Sequence, residues 1–93
     1  MQLKELLQKQ MKGEVAIVDV RNEDEHKANN PLSSVNIPLA SLGSNPEQIK
    51  RFDKQVVLVC LSGRRSEIAQ ETIRHALDIE IDILEDGLQA LLQ

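Results

Sequence analysis

A chain of 93 residues, 41% hydrophobic and 28% charged, has the balance of an ordinary globular domain, read here as one unit spanning 1–93. A net charge of −4 argues against a nucleic-acid surface, and no apolar stretch approaches the length of a membrane span. One cysteine and two separated histidines allow no internal disulfide and no zinc site, so a reducing, cytoplasmic setting and a monomer are expected.

Leu3, Leu6, Leu7 and Met11 recur at helical spacing, with Lys4, Glu5, Gln8 and Lys9 between them and Gly13 as the stop. This pattern predicts a short amphipathic helix with those four apolar residues inward. Val15 to Val20 is apolar and β-rich up to Asp19, which predicts a buried parallel strand. Asp19 then stands at the strand's carboxyl end, where it either caps the next helix or accepts hydrogen bonds that fix a neighbouring loop. Arg21 and Glu25 lie four apart on a predicted short helix, a spacing that pairs them with each other. Asn29 to Ser34 has loop composition, Val35 to Ile37 reads as a short strand stopped by Pro38, and Ala40 to Lys54 holds one or two short helices around Pro46.

Val56 to Val59 is an apolar run too short for a helix, and its lack of alternation suits a strand covered on both faces. It delivers Cys60 to its carboxyl end, the end at which open α/β sheets bind ligands. Ser62 and Gly63 supply turn chemistry, and a helix follows with Ile68, Ala69, Thr72, Ile73, Ala76 and Leu77 expected inward. A loop wrapped from strand to helix in this way points successive N–H groups at its centre, and the helix N-terminus and Arg64 and Arg65 add positive charge there. Cysteines in such surroundings are nucleophiles. The alternative is a core cysteine, but a core thiol needs neither a glycine turn nor two adjacent cations. Ile79, Ile81 and Ile83 alternate with Glu80 and Asp82 as in an edge strand, and Gly87 precedes a final helical turn through Leu88, Leu91 and Leu92. His26 and His75 read as packing or solvated histidines and not as bases for Cys60.

Four blocks, in order, resemble one family. CLSGRRS is similar to the C-x-x-G-x-R-S active-site loop of the rhodanese-like sulfurtransferases, through Cys60, Gly63, Arg65 and Ser66. IVDVRNEDE resembles the family's I-D-V-R-x-x-x-E signature through Asp19, Val20, Arg21 and Glu25, and VNIPL its A-x-N-I-P segment. LEDGLQALL resembles its closing L-x-G-G-x-x-x-W, with Asp86 in place of the first glycine and no tryptophan after Gly87. NNPLSS replaces a usual G-H-I-P-G stretch, and His26 occupies a position usually aromatic.

The resemblance implies a small three-layer α/β sandwich, its mainly parallel sheet of four or five strands covered by helices on both faces. It implies that Cys60 takes a sulfane sulfur from thiosulfate or another persulfide donor and passes it to cyanide or a thiol, with no metal or organic cofactor. The amides of Leu61, Ser62, Gly63, Arg64, Arg65 and Ser66 would hold the sulfur, Arg65 would brace the loop, Arg64 would meet the anionic donor, and Asp19 and Arg21 would support the scaffold. Other readings are a protein-specific sulfur carrier, a non-catalytic regulatory module, and a cysteine phosphatase or arsenate reductase. The phosphatase signature C-x-x-x-x-x-R requires arginine at position 66, where this chain has serine.

Overall fold

A computed structural model describes residues 1–92, so the last position of the expected 1–93 unit lies outside the described residues. In chain order the elements are helix α1 (Leu3–Met11), strand β1 (Val15–Asp19), helix α2 (Glu23–Ala28), strand β2 (Val35–Asn36) and helix α3 (Leu39–Ser44). A 3-10 segment (Pro46–Arg51), strand β3 (Gln55–Val59), helix α4 (Arg64–Leu77), strand β4 (Asp82–Ile83) and a closing 3-10 turn (Gln89–Leu91) follow. The strands form one parallel sheet in the order β2-β1-β3-β4, which makes four strands among the described residues. Met1 extends the edge beyond β4 by a single bridge: its nitrogen donates to Ile83 O at 2.8 Å, and its carbonyl accepts from Glu85 N–H at 3.0 Å.

The central position of β3 accounts for its unbroken apolar run. Val56, Leu58 and Cys60 face a layer with Val18, Val20, Leu42, Ile49, Ala69 and Ile73. Val57 and Val59 face the opposite layer with Leu6, Val15, Ile17, Leu84 and Leu88. Helices α3 and α4 therefore cover one face and α1 with the C-terminal turn the other, which is the expected three-layer α/β arrangement. No helix is long and apolar enough to cross a membrane among the described residues.

Both amphipathic helices lie where the pattern predicts, but rotated from the expected face. In α1, Leu6 is fully buried while Leu7 is 39% and Met11 89% exposed; Gln10 lines the inner side instead and donates to Leu32 O at 2.7 Å. In α4 the buried positions are Ser66, Ala69 and Ile73, with Leu77 half-buried, whereas Ile68 is 55% exposed and Ala76 is exposed. Gln70 fills the remaining inward position by donating to Ile81 O at 2.6 Å. In each case a glutamine amide that reaches a backbone carbonyl occupies a place that apolar spacing alone assigns to a hydrophobe.

Helix α1 ends in a Schellman motif, with Gly13 at φ 69°, its N–H on Gln10 O at 3.0 Å and the Glu14 N–H on Lys9 O at 3.0 Å. Gly87, also at φ 69°, has a different reason to be glycine: a Cβ there would lie 2.3 Å from Leu61 O and 2.7 Å from Cys60 O. Gly87→Ala should therefore lose about 3 kcal/mol or more, from left-handed strain together with a clash against backbone that cannot yield. Gly43 lies in α3, where a Cβ would meet nothing within 4 Å, and Gly43→Ala should gain about 0.5–1 kcal/mol. Denaturant melts of the two variants beside the wild type check both signs.

Candidate active site

Strand β3 ends at Val59, and Cys60 follows with no exposed surface. Its Sγ accepts the N–H of Gly63 at 3.1 Å and that of Ser66 at 3.4 Å. These are two of the loop amides from Leu61 to Ser66 that the sequence expects to converge. Gly63 turns the chain into α4 at φ 96°, and a Cβ on it would lie 2.5 Å from Glu85 O, so glycine is required both by conformation and by space. The loop's carbonyls point the other way: Cys60 O accepts Leu88 N–H at 2.9 Å and Leu61 O accepts Gln89 N–H at 3.1 Å. Donors thus face the sulfur while acceptors are tied to the C-terminal turn. Helix α4, 14 residues long, adds the partial positive charge of its N-terminus on the same side.

The two arginines have separate surroundings. Arg64 is exposed and forms no ion pair among the described residues. Arg65 forks onto Glu25, with Nη1 2.6 Å from Oε1 and Nη2 3.0 Å from Oε2. The hydrogen bond from Arg65, with a smaller contribution from Asn22 N–H, holds the Glu25 carboxyl down to about 2 against the opposing effect of partial burial. The same pair raises Arg65 above its ordinary value, and the charges of Cys60 and Asp19 act in that direction too.

Glu25 therefore does not pair with Arg21 as expected. Arg21 precedes α2, so the helical spacing that would bring the two together does not apply. It is buried, with Nε 3.0 and 3.1 Å from the two Asp19 oxygens, Nη2 2.8 Å from Oδ2, and its backbone N–H 2.9 Å from Oδ1. His26 Nδ1 lies 2.9 Å from Asp19 Oδ2, and Arg21 Nη2 donates to Asn29 O at 2.5 Å. Asp19 and Arg21 thus fasten both ends of α2, the helix that carries Glu25. Asn36 fixes the preceding turn by donating to Asp19 O and Arg21 O, both at 3.0 Å.

Leu61 and Ser62 are exposed at the loop's crest. His75 is exposed beside Glu71, with Nε2 3.0 Å from Oε1, and His26 is engaged with Asp19. Ser66 is fully buried, and its hydroxyl has no hydrogen-bond partner among the described residues, an arrangement that ordinarily costs about 1–3 kcal/mol. A cleft of about 550 Å³ bounded by Phe52, Gln55, Gln70, Ile79 and Ile81 opens at the other end of β3. Its lining holds no cysteine, serine or histidine, whereas Cys60 lies at the carboxyl end of the strand. Sequence reasoning missed the Glu25–Arg65 link, because a separation of 40 positions leaves no periodic signal of it.

Comparison with known proteins agrees with the fold. A model of the rhodanese-like domain matches residues 2–93. An HTH-type transcriptional regulator of Mycobacterium tuberculosis is 34% identical over 86 residues, which is 90% of this chain and 37% of that protein. The chain spans less than two thirds of the length of the curated relatives it matches. Among solved structures, a rhodanese-related protein of Thermoplasma volcanium superposes with a TM-score of 0.83 at 26% identity, over 99% of this chain and 88% of the other. The human single-domain sulfurtransferase TSTD1 superposes at 0.81 with 21% identity, over 100% and 95%; at that identity the likeness concerns the fold. With the family model covering nearly every residue, and with the loop, sheet order and C-terminal turn all in place, the chain belongs to the rhodanese-like domain family.

Proposed function

We propose that this domain is a sulfurtransferase working through a persulfide on Cys60. The observation that carries the reading is the buried Sγ held by the Gly63 and Ser66 amides, a preorganised set of donors for negative charge on sulfur. The Cys60 thiolate attacks the outer sulfur of thiosulfate. The Sγ–S bond forms as the S–S bond of thiosulfate breaks, and sulfite leaves with the bonding pair, so that three negative charges stand on each side of the equation. Cyanide or a thiolate then attacks the outer sulfur, leaves with it as thiocyanate or a new persulfide, and restores the Cys60 thiolate. Neither step needs an external oxidant or reductant.

In this mechanism Arg64, exposed and without a carboxylate partner among the described residues, meets the incoming anion, while Arg65 braces the loop. The fork onto Glu25 supports the bracing role, since it ties the start of α4 to α2 in a fixed orientation. A second reading, in which the domain senses or relays sulfur within a larger protein, draws support from its likeness to the mycobacterial regulator. A protein donor would then replace thiosulfate. The phosphatase reading is weaker: the loop closes on Arg65, one residue earlier than C-x-x-x-x-x-R requires, so it offers a smaller centre to a tetrahedral phosphoryl group.

Intact-mass spectrometry tests the proposal. The wild type should gain one sulfur atom from thiosulfate and lose it to cyanide, while Cys60→Ser should do neither and aryl phosphates should remain intact. Phosphate release that depends on Cys60, with no sulfur adduct from any donor, would contradict the reading.

Arg65→Ala should lower kcat/KM for an anionic donor by about tenfold or more, and Arg64→Lys by less, because a rim cation supplies charge without needing the guanidinium fork. Steady-state kinetics of the two variants separate these roles. Glu25 adds a pH signature. Its folded-state value of about 2 lies below its ordinary 4.5, so the stability it contributes is fully present above pH 4.5 and is lost as pH falls toward 2. The stability advantage of the wild type over Glu25→Gln, measured by denaturant melts, should hold at pH 6 and shrink at pH 3.

A further inference from the structure

Ser66 lies in the first turn of α4 with its own amide 3.4 Å from Cys60 Sγ. Its hydroxyl is buried and engages no group among the described residues, the neighbouring Sγ included. A helical serine or threonine ordinarily satisfies its hydroxyl on the carbonyl one turn back, as Thr72 does in this same helix on Ile68 O at 2.9 Å. The position one turn back from Ser66 is Ser62, in the exposed crest of the loop, and the next carbonyl, Gly63 O, accepts Glu67 N–H at 3.0 Å. A buried hydroxyl with no partner among the described residues thus belongs to the same residue whose amide serves the sulfur.

We propose that the Ser66 hydroxyl binds the transferred sulfur, donating a hydrogen bond to the outer atom of the Cys60 persulfide and remaining idle otherwise. The inference rests on the sulfur-transfer reading and adds to it a residue that distinguishes the loaded form from the empty one. In the empty form two amides already serve Sγ. Loading places a new atom about 2 Å beyond Sγ and moves the negative charge onto it, one bond farther than the atom those amides address. Formation of the Sγ–S bond, cleavage of the thiosulfate S–S bond and departure of sulfite with the electron pair proceed as above. The Ser66 proton stays on its oxygen throughout, so the residue changes the stability of the persulfide without entering the bond changes.

The test is the loading equilibrium of wild type and Ser66→Ala, read by intact mass across a series of thiosulfate-to-sulfite ratios, together with thermal melts of both sulfur-free proteins. Ser66→Ala should need about a tenfold higher ratio for half-loading, the size of a hydrogen bond to a charged acceptor. Its sulfur-free form should melt at or above the wild-type temperature, because a hydroxyl without a partner has been removed. Equal ratios would overturn the inference while leaving sulfur transfer standing, and a wild type that takes up no sulfur would overturn both. A sulfur-free Ser66→Ala melting more than about 5 °C below wild type would also overturn it, since the hydroxyl would then be serving the resting fold.

Discussion

Two amide-to-sulfur hydrogen bonds, from Gly63 and Ser66 to Cys60 Sγ, connect the end of β3 to the start of α4, and much of the molecule is arranged to permit them. For the amides to face inward, the loop's carbonyls must face outward, and the C-terminal turn receives them through Leu88 and Gln89. That turn approaches so closely that Gly87 tolerates no side chain, and the loop approaches Glu85 so closely that Gly63 tolerates none. The two glycines are therefore one constraint seen from two stretches of chain. The segment from Leu84 to Gln89 holds the outside of the loop, while the donors to the sulfur come from the loop and α4.

The second support comes from the other side, through charge. Buried Asp19 and Arg21, with half-buried His26 against the carboxylate, form a cluster at the carboxyl end of β1. A buried ion pair adds little net stability once desolvation is counted, but removing one member would leave a bare charge, so the geometry is strongly fixed. What it fixes is α2, a six-residue helix with no buried residue of its own. From α2, Glu25 reaches Arg65 and so fixes the first turn of α4. Asp19 and the helix beside the sulfur are thereby joined without the carboxylate being directed at sulfur, because Arg21 meets its charge.

How much of this is legible in the sequence depends on the kind of signal. The β3 run, the glycine turn and the basic pair are contiguous, so the strand, the loop and the start of α4 can be read directly. The alternation of Ile79, Ile81 and Ile83 locates β4 only in part, since just Asp82 and Ile83 pair with β3 while Ile79 and Ile81 precede the strand and pack into the core. The faces of α1 and α4 are less accessible, since a stripe containing Leu7 and Met11 or Ile68 and Ala76 satisfies helical spacing as well as the true one. The choice between them is made by Gln10 and Gln70, whose amides find carbonyls that only the tertiary fold supplies. Local spacing pairs Glu25 with Arg21, and the burial of Arg21 against Asp19 overrides it. The idle hydroxyl of Ser66 has no counterpart in sequence at all, because being without a partner is a property of surroundings.

The central claim is that backbone amides at the start of α4 hold the sulfur on which the chemistry occurs, and amide chemical shifts report on it directly. In nitrogen-15 labelled protein, adding thiosulfate should move the Gly63 and Ser66 resonances most, leave those of Gly13 and Gly43 in place, and cause no change in Cys60→Ser. Sulfur uptake at Cys60 with the Gly63 and Ser66 resonances unmoved would contradict the account.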